Sequence, residues 1–313
     1  MGFYILRRIV STAPVMAIVA FFVFGLLYIS PGDPAQIIAG DHATPEQIEA
    51  VRASLGLDEP FLYRFFEWFW DVVRGDLGLS VFTGKPVTEL ILSRMEPTMS
   101  LMFLTLIFAV TTAVPLGVLA ANYVGTWIDR IIMAIAVLGF SVPVFATGYA
   151  FAYIFAIDLK WLPIQGYAPI SDGIGKWLSH LVLPAFALGS VYMALIARIT
   201  RASMLEVLNQ DYIRTARAKG QSKLMILFLH ALKNASISIM TVIGLGIALM
   251  IGGAVVTESV FAIPGIGRLT IDAILQRDYP LIQGVVLFFS FIYVLVNLLV
   301  DISYTVIDPR IRY

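Results

Sequence analysis

Cysteine is absent from this 313-residue sequence, and histidine occurs only three times, at His42, His180 and His230. The lack of cysteine excludes disulfides, thiolate nucleophiles and cysteine-based zinc or iron–sulfur sites. Charge is scarce as well, because Asp, Glu, Lys and Arg make up 13% of the residues, against about 25% in an average soluble domain. Hydrophobic residues make up 59%. This composition excludes an ordinary soluble domain and favours a protein surrounded by lipid.

The signatures of several enzyme classes are also missing. The sequence has no His-Glu-x-x-His pair, no Gly-x-Ser-x-Gly elbow and no carboxylate pair inside an apolar run. The segment 83–86 is not a phosphate-binding loop, because Leu79 stands where its first glycine would be and Pro86 replaces the final Ser or Thr. We therefore expect no catalysis, no metal site and no cofactor in this chain. If ATP drives the protein, another chain must bind ATP and Mg²⁺.

Six apolar runs approach or exceed the ~20 residues needed to cross the hydrocarbon core of a bilayer. They cover residues 9–29, 98–121, 131–157, 181–197, 236–256 and 281–300, and none contains Asp, Glu, Lys, Arg or His. The fourth run is short, and we expect it to extend from Trp177 towards Arg198. The predicted fold class is an all-α polytopic membrane protein with about six transmembrane helices.

The basic residues indicate an orientation for these spans. With the N-terminus in the cytoplasm, the inner connections and termini hold twelve basic and five acidic residues, and the outer side holds nine basic and sixteen acidic ones. Inner loops of membrane proteins carry the excess of Lys and Arg. We therefore predict that both termini are cytoplasmic.

Three regions follow from this topology. They are a first transmembrane helix (1–29), an extracytoplasmic segment with short helices (30–97) and a transmembrane core (98–313) with a long inner loop at 200–235. In the outer segment, Thr44-Pro45-Glu46-Gln47 predicts the start of a short helix that Gly56 closes. The aromatic run at 61–70 predicts a second helix, of the composition that lies in a membrane interface.

Prolines and a glycine pair interrupt the predicted spans. They are Pro14, Pro115, Pro143, Pro184 and Gly252-Gly253. In a bundle such residues bend a helix or allow two helices to approach closely.

The inner loop contains the most specific pattern in the chain. Alanine and arginine favour a helix over 212–219, Gly220 can end it in the left-handed conformation, and the next helix is predicted to begin near Ser222. Two interpretations stay open at this point. The basic residues of the loop are a topology signal that also touches anionic lipid, or the loop is a docking surface for another protein.

The residues Asp211 to Gly220, followed by His230 to Ala235, are the strongest motif of this loop. They resemble the cytoplasmic loop of binding-protein-dependent ABC importer permeases, in the branch that carries dipeptides, oligopeptides, nickel and glutathione. The resemblance extends over almost the whole chain. It rests on the motifs Pro31-Gly32-Asp33-Pro34-Ala35, Leu55-Gly56-Leu57-Asp58, Gly75-Asp76-Leu77-Gly78-Leu79-Ser80, Arg198-Ile199-Thr200-Arg201, Asp211 to Gly220, His230 to Ala235, Glu258-Ser259-Val260-Phe261, Pro264-Gly265-Ile266-Gly267-Arg268, Arg277-Asp278-Tyr279-Pro280 and Asp308-Pro309-Arg310. Together they are similar to the first, B-type, of two paralogous permease subunits. Arg214 and Thr215 depart from the Glu and Ala of the general importer loop, and Leu232-Lys233 from its Leu-Pro.

The resemblance implies a type I importer transmembrane fold in a bacterial cytoplasmic membrane, working by alternating access. The implied partners are a paralogous permease, two ABC ATPases that bind ATP and Mg²⁺, an extracytoplasmic solute-binding protein and membrane lipid, with no nucleic acid. The residues implied in docking the ATPase are Asp211, Tyr212, Arg214, Thr215, Ala216, Arg217, Ala218, Lys219 and Gly220. Peptides are the favoured solutes. Nickel, glutathione and sugar-derived ligands stay open, and no substrate-pathway residue is assigned.

Two other functions are compatible with a polytopic chain: an ion-coupled secondary transporter and a membrane scaffold that transports nothing. Ion coupling usually places ionisable residues near the middle of the membrane. Here the nearest polar candidates are Asn297, Asp301 and Glu258, which lie at the ends of predicted spans and are interpreted as packing residues.

Overall fold

The computed structural model describes residues 2–29, 34–39, 43–54 and 58–307. Over these residues it is built from helices, and its only β pairing is an isolated bridge between Leu79 and Pro86. The predicted all-α fold is therefore confirmed. His42, Gly56 and the motif residues at 31–33, 55–57 and 308–310 lie outside the described part of the chain.

The helices follow the order of the predicted spans. They are α1 (Gly2–Ile29), α2 (Pro34–Ala39), α3 (Pro45–Ser54), α4 (Phe61–Val73), α5 (Val87–Asn122), α6 (Trp127–Ser141), α7 (Val144–Phe151) with a π-helical continuation (Ala152–Asp158), a 3₁₀ turn (Ile170–Asp172), α8 (Ile174–Leu208), α9 (Asp211–Ala218), α10 (Lys223–Met225) with a π-helical continuation (Ile226–Leu232), α11 (Lys233–Val260), α12 (Ile266–Gln276) and α13 (Tyr279–Ile307).

Within the described residues, four helices are long and apolar enough to cross a membrane. They are α5, α8, the continuous helix Lys223–Val260 and α13. The bent pair α6 and α7 supplies a fifth span if it is counted as one. The first predicted span lies in α1, whose described apolar part is the shorter stretch Val10–Leu26. The helix count is compatible with the predicted number of spans.

The third predicted span, at 131–157, is broken into two helices. Helix α6 ends at Ser141, and the direction of the chain changes by 103° before α7 and its π-helical continuation. Val142 and Pro143 between them are extended, because a proline disfavours the helical conformation of the residue before it. The predicted bend at Pro143 is thus present, whereas Pro14, Pro115 and Pro184 lie inside continuous helices.

Several helices continue beyond their apolar runs. Helix α5 begins at Val87 instead of near Thr98, and α8 covers both Trp177 and Arg198 and continues to Leu208. The connection 200–235, predicted to face the cytoplasm, is mostly helical. The length of an apolar run matches the thickness of the bilayer. The helix itself can be longer, because polar residues that favour helix continue it into water.

Helix α3 starts where the sequence predicts it. The Thr44 Oγ1 accepts a hydrogen bond from the Gln47 amide at 3.3 Å, and the Gln47 Oε1 accepts one from the Thr44 amide at 2.9 Å. This reciprocal pair is a capping box, with Pro45 in the first helical turn. The aromatic helix predicted at 61–70 is α4.

The chain divides into two compact units, one made of Met1–Met95 with Leu269–Val294 and the other of Glu96–Arg268 with Leu295–Tyr313. The core of the first unit includes Val23, Phe24 and Phe65 of α1 and α4. The larger core of the second unit centres on α8, with Leu181, Leu188 and Ile196 buried. The three regions predicted from the topology stay a prediction.

Close packing requires a glycine at one of the two neighbouring glycine positions of α11. A methyl group added to Gly253 would lie 2.6 Å from the Leu188 Cδ1 of α8, whereas Gly252 has no such neighbour within 4 Å. The predicted close approach at this glycine pair is therefore made by Gly253 alone.

Candidate functional site

Helix α9 is a short amphipathic helix between two long ones. Its one fully buried side chain is Ile213, with 0% exposure, and Ala216 on the same face is half-buried. Residues three apart in a helix share a face, so these two attach α9 to the rest of its unit, where it contacts the π-helical turn Ile226–Leu232. Sequence reasoning missed Ile213 as an anchor. Its signal is an isolated large apolar residue among polar neighbours.

The C-terminal end of α9 is closed by backbone hydrogen bonds around Gly220. The Gly220 amide donates to the Arg217 carbonyl at 3.0 Å, and the Gln221 amide donates to the Ala216 carbonyl at 3.3 Å. With Gly220 at φ +75°, these two bonds form a Schellman motif, which needs a residue free to adopt the left-handed conformation. Ser222 then caps α10 by accepting from the Met225 amide. The predicted helix, its glycine end and the start of the next helix are all present.

Most of the predicted docking residues face outward. The exposed ones are Asp211, Tyr212, Arg214, Thr215, Arg217, Ala218, Lys219 and Gly220, and only Ala216 is half-buried. Arg214 and Asp211 form an ion pair at 3.4 Å with both side chains largely in solvent, a geometry that contributes little to stability. Desolvation raises the pKa of the Tyr212 phenol, which stays protonated at neutral pH. Helix α9 thus presents a surface of two arginines and a lysine with small residues between them.

A partly buried ion pair holds the helix that leads into α9. The Arg201 guanidinium of α8 donates through Nε and Nη2 to the two oxygens of Asp129 in α6, at 2.6 and 2.8 Å. Asp129 is only 4% exposed and also accepts from the Gly125 amide at 2.9 Å. A bidentate pair of this kind gives directional strength. It ties α8 to the start of α6 and to the short connection before it.

A second buried carboxylate organises the segment after α11. Glu258 is fully buried, and it accepts from the Thr98 hydroxyl at 2.6 Å and from the Arg268 amide at 2.9 Å. The Thr98 hydroxyl in turn accepts from the Ile266 amide at 2.8 Å. A methyl group at Gly265 would overlap the Glu258 carboxylate. Glu258 and Thr98 therefore cap the start of α12, and we call this set the Glu258 junction.

Asp278 has a similar role in the other unit. Its carboxylate accepts from the Ser80 hydroxyl at 2.5 Å and from the Val81 amide at 3.3 Å, and it also accepts from the Leu281 amide at the start of α13. Ser80 and Asp278 are both 1% exposed. This set of contacts, which we call the Asp278 junction, joins the sequence motifs at 75–80 and 277–280. Both buried acids support structure, and no cluster of metal-ligating side chains occurs in the described ranges.

Two family matches cover most of the chain. Residues 113–313 match the family "Binding-protein-dependent transport system inner membrane component", and residues 1–102 match the N-terminal region of such membrane components. The chain belongs to this family. Its members are membrane components of transport systems and not catalytic subunits, so α9 belongs to a permease component of the inner membrane.

Named relatives share the full length of the permease. The "Probable peptide ABC transporter permease protein y4tP" of Sinorhizobium fredii is 56% identical over 100% of both chains. The glutathione transport system permease protein GsiC of Escherichia coli is 42% identical over 99% of both chains. A chain of the inward-facing MetNI methionine ABC transporter superposes with a TM-score of 0.58 at 17% identity, covering 70% of this chain and 96% of that one. The fold is thus that of a type I importer permease, as predicted.

Proposed function

We propose that this chain is a membrane-spanning permease subunit of an ATP-driven importer of peptides, or of a peptide-like solute such as glutathione. The names of its full-length relatives support this class of solute. In this proposal it pairs with a paralogous permease, and the two receive solute from an extracytoplasmic binding protein. ATP and Mg²⁺ are bound by two separate ATPase subunits, and both termini of the chain lie in the cytoplasm.

The observation that carries the coupling role is the construction of α9. The helix is attached through Ile213, closed by Gly220 and exposed over its charged face. Such an element can transmit a push or a pull from a partner to the ends of α8 and the helix Lys223–Val260 without being reshaped. In this proposal Arg214 and Arg217 contact acidic groups of an ATPase groove, and Ala218 allows close approach.

Reconstitution of the whole importer tests the proposal. Charge reversal of Arg214 and Arg217 to Glu is expected to abolish ATP-driven peptide uptake while the variant still inserts into the membrane. Gly220→Pro should have the same effect, because proline cannot adopt φ +75° and lacks the amide that donates to Arg217. The control is Lys233→Glu, which reverses an exposed charge outside α9 and should leave uptake unchanged. Normal uptake by the α9 variants would contradict the docking role.

The solute and the energy source have tests of their own. Uptake of labelled di-, tri- and oligopeptides and of glutathione, with each compound competing against the others, identifies the solute. Uptake by the purified chain alone in liposomes with an ion gradient would indicate an ion-coupled carrier and overturn the ATP-driven mechanism. Reporter fusions to the two termini test their predicted cytoplasmic location.

A further inference from the structure

A cavity of about 510 Å³ lies behind α9, where the ends of α5 and α8 meet the start of the helix Lys223–Val260. Its volume is in the range of small-molecule sites, which is about 300–1,000 Å³. Aliphatic side chains, Leu208 and Ile226 among them, form part of the wall. The rest is polar. The cavity therefore suits an amphiphilic ligand better than a purely polar or purely apolar one.

The charge of the cavity is positive. Arg217 and Lys223 line it, and no Asp or Glu is among the described residues of its wall. The Lys223 ammonium lies 5.4 Å from the centre of the Tyr123 ring, which holds it beside the end of α5. The C-terminal ends of α5 and α8 contribute partial negative charges of about half a unit each. Two full positive charges exceed these, so the cavity attracts an anion.

Neutral hydrogen-bonding groups complete the wall. The amide side chains of Asn122, Asn209 and Gln221 line the cavity beside the two cations. The Gln221 Oε1 is buried and has no hydrogen-bond partner among the described residues. A buried oxygen of this kind is costly unless it accepts a hydrogen bond. The cavity thus offers cationic donors for an anion, and beside them lies an amide oxygen that lacks a hydrogen-bond donor.

We propose that this cavity binds a phosphate group esterified to an alcohol that keeps a free hydroxyl. Arg217 and Lys223 contact the phosphate, Gln221 accepts from the hydroxyl, and the aliphatic wall contacts apolar parts of the ligand. A glycerol-bearing phospholipid headgroup and a soluble glycerol phosphate both have this chemistry. The site shares Arg217 with the proposed ATPase-docking face of α9, but binding at it needs neither an ATPase nor a solute.

The test uses the purified full chain in neutral detergent, with no ATPase present. Ligand binding is measured by native mass spectrometry and by the shift of the thermal midpoint. The probes are short-chain phosphatidylglycerol, phosphatidylmethanol, phosphatidylcholine and glycerol 3-phosphate. Phosphatidylglycerol is expected to bind more tightly than phosphatidylmethanol, which lacks the hydroxyl, and phosphatidylcholine is expected not to shift the midpoint. Displacement of phosphatidylglycerol by glycerol 3-phosphate would assign the site to a soluble ligand, and failure to displace it would assign the site to lipid.

Variants locate the binding in the cavity. Arg217→Gln and Lys223→Gln should each weaken phosphatidylglycerol binding about tenfold, the size of one charge-assisted hydrogen bond. Gln221→Leu should remove the preference for phosphatidylglycerol over phosphatidylmethanol. The controls Arg214→Gln and Lys233→Gln remove exposed charges outside the cavity and should leave binding unchanged. Equal binding by the Arg217 and Lys223 variants, or an equal loss in the Lys233 control, would overturn the proposal.

All of these side chains except Gln221 are exposed, so the charge variants are expected to fold. Their thermal midpoints in phosphatidylcholine provide the check. The binding assay contains no ATPase, so it measures the ligand alone. Loss of peptide uptake in an Arg217 variant is measured separately, in the reconstituted importer.

Discussion

Helix α9 exposes most of its charged side chains, whereas the Glu258 junction buries its carboxylate completely. In α9 the charges contribute little to holding the helix, which depends on Ile213 and on the backbone bonds around Gly220. In the Glu258 junction the side-chain carboxyl group itself joins the segments, through the Thr98 hydroxyl and the Arg268 amide. Helix α9 and the Glu258 junction belong to the same compact unit. They differ in whether the fold depends on their ionisable side chains.

The difference teaches which charges can be changed without unfolding the protein. Charges on α9 are available to a partner because the fold does not need them. The fold needs the carboxyl group of Glu258, since a buried polar group is tolerated only when it is hydrogen-bonded. Substitutions in the two regions should therefore separate loss of function from loss of stability.

The largest effect is expected for Glu258→Ala. The change leaves the Thr98 hydroxyl and the Arg268 amide without their buried acceptor and opens a cavity, so the free energy of unfolding should fall by about 3–5 kcal/mol. The thermal midpoint of the purified protein measures it. Glu258→Gln keeps the shape and one acceptor oxygen and should lose less. A Glu258→Ala protein as stable as the parent would show that the junction does not depend on the carboxylate.

Ile213→Ala tests the attachment of α9. Truncating a fully buried isoleucine costs about 2–5 kcal/mol, but here the cost falls on one short helix and not on the whole fold. We expect faster hydrogen exchange of the amides of residues 214–219 and an unchanged thermal midpoint. Ile213→Val, which removes one methyl group, is the matched control and should be close to the parent. Unchanged exchange in the alanine variant would mean that other contacts hold the helix.

Ser80→Ala probes the Asp278 junction, where a hydroxyl instead of a charge is removed. The Asp278 carboxylate keeps its bonds from Val81 and Leu281, so the expected loss is about 1–2 kcal/mol. Equilibrium unfolding in denaturant can resolve it. Ser93→Ala, at an exposed hydroxyl that bonds only to its own helix, should be neutral by the same measurement.

The smallest effect on stability is expected for Arg214→Gln. Its ion pair with Asp211 is exposed, and removing such a pair changes the free energy of unfolding by about 0.5 kcal/mol or less. A midpoint shift comparable to that of Ser80→Ala would contradict the view that the charges of α9 are dispensable for folding. The comparison is sharpest if Arg214→Glu also retains stability while peptide uptake is lost.

The sequence by itself determined the features that depend on neighbouring residues or on the surrounding solvent. The apolar runs place the helices, Thr44 and Gln47 predict a capping box, and Gly220 predicts the end of α9, because these signals act within a few residues. The position of the break between α6 and α7 is also local, because Pro143 disfavours helix at the residue before it. The size of the bend, 103°, does not follow from the sequence.

Only the tertiary structure decided which distant residues meet. Arg201 reaches Asp129 across 72 positions, Thr98 reaches Glu258 across 160, and Ser80 reaches Asp278 across 198. No periodicity links such pairs, since each contact depends on how long helices pack and how their connections return. The same holds for Ile213 and for the cavity behind α9. Their roles exist only once the ends of several helices have been brought to one place.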